Sequence, residues 1–193
     1  MSMAPRAPRP AVLVLIALAG CTAAGGSFAL ALTSDHVAEP GLQAALMVWM
    51  ALPYVLAGVV AWWRRPESRF GPLMVGAGFV GLLATLAWSN AALPFTIGQA
   101  VDLVPAVLFL HVFLAFPTGR LERRLERVIV ALGYVTAFGL ELVGMLLGGF
   151  GPDNLLELLS EPETAETLLD VQLVSISAFW SRTVRARAAT SPP

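Results

Sequence analysis

Apolar residues in this chain neither alternate nor recur on a single face; they run in long, nearly uncharged blocks. Ala11–Leu32, Gly41–Trp63, Pro72–Trp88, Gln99–Pro117 and Val128–Leu147 are five such blocks, and Thr167–Trp180 is a sixth, shorter one. A helix needs about 20 predominantly apolar residues to cross a bilayer. The pattern therefore predicts an all-α fold, a polytopic bundle of six transmembrane helices near 11–32, 41–63, 72–88, 99–117, 128–147 and 167–180. A cytoplasmic segment 1–10 precedes the transmembrane domain 11–180, and a basic cytoplasmic tail 181–193 follows it. Pro94 breaks an uncharged loop over 89–98, and the short run Leu155–Leu159 after Asp153 and Asn154 suggests a surface helix.

Composition agrees with the pattern. Of 193 residues, 57% are hydrophobic and only 13% charged, with a mean hydropathy of +0.75, so no soluble catalytic domain fits alongside the spans. The net charge of −1 hides how the signs are distributed. All the positive charge is arginine, and it falls on alternate connections. Arg6 and Arg9 precede the first span; Arg64, Arg65 and Arg69 follow the second. Arg120, Arg123, Arg124 and Arg127 follow the fourth; Arg182, Arg185 and Arg187 follow the sixth. Because cytoplasmic flanks are enriched in Lys and Arg, both termini are expected in the cytoplasm of a cell whose plasma membrane holds the chain. The sixth block tests two rules against each other. Its shortness and its Asp170, Gln172, Ser175 and Ser177 oppose insertion, whereas the arginines after it require insertion; the expectation here is that it inserts.

Few residues are candidates for chemistry. The single cysteine, Cys21 in Leu-Ala-Gly-Cys, has the look of a lipoprotein cleavage site, but the apolar run continues past it to Leu32, which favours a retained span. His111 lies inside the fourth span, where an ionisable side chain is a functional candidate by default; the plainer reading is a neutral ring bonded to another helix. Asp102, Glu141 and Asp170 fall at similar depth in the outer parts of their spans and could together hold a proton or a cation; the reading preferred here leaves Asp102 and Asp170 at the wet interface and buries only Glu141. Small residues four apart (Ala19, Ala23, Ser27 and Ala31; Ala77, Gly81 and Thr85; Gly144 and Gly148) mark close helix approach or a homodimer contact. Trp62, Trp63, Trp88 and Trp180 fit interfacial belts. Glu122 and Glu126, among the arginines of 118–127, suggest a solvated helix with local ion pairs. No phosphate loop, HExxH motif or nucleophile–base pair is present, so no enzyme activity, cofactor, metal or nucleic-acid partner is expected.

Two segments carry a family likeness. Trp62–Pro72 reads WWRRPESRFGP and His111–Leu121 reads HVFLAFPTGRL; a weaker pattern runs from DNLL through LLDVQ to AATSPP at the end of the chain. These resemble the membrane-spanning N-terminal region of actinobacterial sensor histidine kinases. The likeness implies a signal-input module without its kinase, as in a truncated product, a separately encoded fragment or a stand-alone relative. It implies a cytoplasmic kinase or response-regulator partner and coupling loops at Arg64, Arg65, Arg69, Pro117, Gly119 and Arg120. The competing expectation is a small transporter or channel subunit, motivated by Asp102, Glu141, His111 and the helix-breaking Pro53, Pro94 and Pro105.

Overall fold

The computed structural model describes residues 8–190, without the side chains of Pro162, Phe179 and 182–190. The expectations for Arg6, for the side chains of Arg182, Arg185 and Arg187, and for the tail end 191–193 lie outside the described residues. Among the described residues there are eight α-helices: α1 (Pro10–Leu32), α2 (Pro40–Arg64), α3 (Phe70–Ala84), α4 (Ala92–Ala100), α5 (Val104–Ala115), α6 (Arg124–Tyr134), α7 (Glu141–Leu146) and α8 (Pro162–Thr190). A 3₁₀ turn, Thr85–Trp88, extends α3, and a π-helical segment, Val135–Leu140, joins α6 to α7. Among the described residues there is no strand.

Among the described residues, five stretches are long and apolar enough to cross a membrane: Pro10–Leu32, Pro40–Arg64, Phe70–Trp88, Ala92–Ala115 and Arg124–Leu146. Their outward faces are apolar. Leu15 is 64% exposed, Trp49 79% and Val135 66%, an arrangement that suits hydrocarbon surroundings and opposes water. The buried stripes are built from small residues. In α1 the buried residues are Leu13, Gly20, Ala24, Ser27 and Ala31; of the expected ladder Ser27 and Ala31 are buried, Ala23 is half-buried and Ala19 is exposed. Ser27 meets Thr85 through a buried hydroxyl pair at 2.8 Å. Ala77, Gly81 and Thr85 are buried as a set. Gly144 faces Leu169 of α8, but Gly148, at φ +87, lies beyond the end of α7 and belongs to no helix face.

Proline placement corrects the reading of the fourth block. Residues 92–100 are helical, and Pro94 sits in their first turn, where its missing N–H has no partner to lose. The break falls instead at 101–103. Pro105, in the first turn of α5, cannot donate to the carbonyl one turn back, and Val104 bonds Val101 O at 3.0 Å in a tight turn. Pro53 leaves α2 continuous. The fourth span is thus a broken helix beginning earlier than expected.

The two ends of the bundle are tied differently. At the acidic end, Asn90 donates to Thr33 O at 2.8 Å and to Asp35 at 3.0 Å. His36 lies 3.6 Å from Asp153 and stacks obliquely on Phe95. Leu155–Leu159 is not helical, because Leu158 and Leu159 donate their N–H groups to Leu146 O, closing the end of α7. Buried Asn154 secures this loop through Met145 O at 2.6 Å and Gly149 O at 3.0 Å. At the other end, α6 starts only at Arg124, so Arg120, Glu122 and Arg123 are outside helical register. Glu126 accepts from Arg123 N–H at 3.1 Å as a cap, and no ion pair forms within this segment among the described residues.

The last helix, α8, has 29 residues, about 43 Å at 1.5 Å per residue. It runs continuously through the predicted acidic loop end, the sixth block and the tail, and it is not among the stretches apolar enough to count as a span by composition. Trp180 is half-buried against α5. Its ring packs on Val107, Leu110 and Phe109, and its Nε1–H donates to Ala106 O at 3.2 Å, fastening α8 to α5.

Candidate functional site

Two assemblies stand out, one at the arginine-bearing end and one within the bundle. The first joins the two sequence segments that carry the family likeness. Chain reversal between α2 and α3 uses Arg65–Arg69, and reversal between α5 and α6 uses Phe116–Arg123. Gly119, at φ +74, presses on the first reversal: a Cβ there would stand 2.2 Å from Phe70 N and 2.4 Å from Arg69 C. Ser68 Oγ donates to Thr118 O at 3.2 Å, and the rings of Phe70 and Phe116 meet edge-on at 5.4 Å. Arg65, Glu67, Ser68, Pro117, Thr118, Arg120 and Glu122 line an open cavity of about 370 Å³. Arg64, Arg65, Arg69, Pro117 and Arg120 are all exposed. The two loops form one zwitterionic surface.

The second assembly surrounds Glu141, the first residue of α7. Its side chain is 2% exposed. Gln99 of α4 donates to Oε1 at 3.2 Å, and Gln172 of α8 donates to Oε2 at 2.9 Å. Gln172 is fully buried, and its Nε2 also reaches Ala137 O at 3.3 Å, inside the π segment. Its Oε1 has no partner. π-Helical turns recur at functional positions, and this one directly precedes Glu141. Asp102 sits in the break between α4 and α5; it and Asp170 are exposed. Of the two readings of the three carboxylates, the arrangement seen is the favoured one, in which only Glu141 is buried, here held between two amides.

His111 belongs to neither assembly. Its Nδ1 lies 3.1 Å from Tyr134 Oη, a link between α5 and α6. Among the described residues no group of three His, Cys, Asp or Glu side chains could hold a metal ion. Sequence reasoning overlooked Gln99 and Tyr134 and read Gln172 only as a liability for insertion. The available signal was that each is a polar side chain within a predominantly apolar helical stretch, where an unpaired polar group is costly and must find a partner. Comparison with family models, curated proteins and solved structures finds no match to this chain.

Proposed function

We propose that the chain is a plasma-membrane signal-input module of the two-component type. It crosses the bilayer six times with both termini in the cytoplasm and performs no catalysis itself. In this reading α8 is the sixth crossing, shielded on its polar side by Gln172–Glu141 and anchored by Trp180. The arginine-bearing double loop then faces the cytoplasm, where arginine is favoured, and is the contact surface for a kinase or response-regulator partner. The observation that carries the proposal is the interlock of WWRRPESRFGP with FPTGRL around Gly119 and Ser68. The two segments that resemble sensor kinases are separated in sequence yet build one surface.

The test is a chimera. The chain is joined through α8 to a histidine-kinase core, reconstituted in lipid nanodiscs, and assayed for autophosphorylation. Replacing Arg65 and Arg120 together by Gln, which touches only exposed side chains, is expected to change output about fivefold or more, the lower end of typical coupling. Equal output from parent and variant, with equal membrane insertion, refutes the coupling role.

A transporter or channel subunit is the second reading. It is favoured by the meeting of a broken helix, a π turn and a buried carboxylate at one depth, as transporters use discontinuous helices at their sites. Cation flux into vesicles containing the purified chain tests it.

A further inference from the structure

We propose that Glu141, clasped by Gln99 and Gln172 between α4, α7 and α8, is a binding site for a monovalent cation, and that the cation is a proton. The inference stands independently of the signalling reading.

The first support is charge. Glu141 is buried in the bundle with no cationic partner among the described residues. The arginines lie at the opposite end, the Tyr134 hydroxyl is engaged with His111, and His36 is engaged with Asp153. The groups that hydrogen-bond Glu141 are two neutral amides. From α8 it is met by Gln172, while Asp170 and Glu166 point away as exposed residues. Two neutral donors do not cancel a full negative charge in a water-poor interior. A positive charge has to come from solution.

The second support is the orphan oxygen. Gln172 is fully buried, its nitrogen makes two bonds, and its Oε1 makes none. A buried polar atom without a partner is costly. Proton uptake changes the accounting of donors. One O–H bond forms on Glu141, no bond breaks within the protein, and the carboxyl becomes a donor. Turning over the Gln172 amide then places Oε1 opposite that O–H, in exchange for the two bonds of Nε2. The exchange also withdraws Nε2 from Ala137 O, so occupancy of the site alters the fastening between the π segment and α8.

The donor geometry selects the proton over a metal ion. Hard cations take about six or more oxygen ligands. Here each carboxylate oxygen already faces an amide N–H, whose positive hydrogen lies where a metal would need an oxygen. A proton needs only one vacant lone pair. The acidic end of the bundle is the nearer one: Glu141 lies about 8 Å along the helix from Leu146.

The test is pH-difference infrared spectroscopy of the full chain in lipid nanodiscs. The parent chain is expected to give a titrating carboxylic-acid C=O band that Glu141→Gln loses. In unmutated protein, [¹³C]glutamate labelling should shift the same band. Gln172→Leu should move it to higher frequency, because the O–H loses its acceptor. Identical difference spectra for parent and Glu141→Gln, or a band indifferent to the label, overturns the proposal. A band that responds to added Na⁺ at fixed pH overturns the choice of proton, and an unmoved band in Gln172→Leu overturns the role of the amide.

Discussion

Replacing Gly119 by alanine isolates the contact on which the double loop depends. The residue sits at φ +74, a conformation that costs an L residue about 1–2 kcal/mol. The new Cβ would also stand 2.2 Å from Phe70 N, 2.4 Å from Arg69 C and 2.7 Å from Phe70 Cα. These neighbours are backbone atoms at the start of α3, so no side chain can swing aside. Overpacking of this kind costs about 1–3 kcal/mol. Together the two effects predict a loss of about 2–5 kcal/mol. Gly25→Ala is the internal control. It sits within α1 with nothing within 4 Å of the new methyl, and alanine in a helix gains about 0.5–1 kcal/mol over glycine. Equilibrium unfolding in mixed micelles, followed by far-UV circular dichroism against the fraction of denaturing detergent, measures both. A Gly119→Ala protein within about 0.5 kcal/mol of the parent, the range of an ordinary surface change, refutes the close approach of the two loops.

Other consequences follow from single contacts. Asn154→Ala removes two side-chain bonds to backbone carbonyls and the acceptor for Leu156 N–H. About 2–3 kcal/mol should be lost, with faster proteolysis within 147–161 as the local readout. A double-mutant cycle of Ser27→Ala and Thr85→Val should give a coupling of about 0.6 kcal/mol, not above about 1.7, as for hydroxyl bonds between membrane helices; zero coupling removes the α1 contact. His36→Ala should change stability by less than about 1 kcal/mol, because its pairing with Asp153 is partly exposed and reaches only 3.6 Å; a larger loss in the same titration contradicts the geometry.

The helical architecture was legible because hydrocarbon-length apolar blocks have few alternative structures. Boundaries were less so. Pro94 looked like a breaker but occupies a first turn, where proline is harmless, whereas Pro105 marks the true break. The Gly144–Gly148 pair looked like a packing motif, yet only Gly144 meets a helix. Trp180 looked interfacial, and its long-range bond to Ala106 O depends on how α8 docks. The buried site was half visible. Glu141 stood out as a charge within a span, but its partners come from α4 and α8, far apart in sequence, and no local pattern specifies which amides converge on it. The double loop was visible as two motifs; their contact through Gly119 is a tertiary fact.

The central claim is that α8 carries the chain back to the face that holds the double loop. Single cysteines placed at Ser34, Ser68, Ser160 and Ser181 in a Cys21→Ser background, each probed in intact spheroplasts with a membrane-impermeant maleimide, test it directly. The account predicts labelling at 34 and 160 from outside and labelling at 68 and 181 only after permeabilisation. Labelling of 181 from outside, with 68 protected, contradicts it.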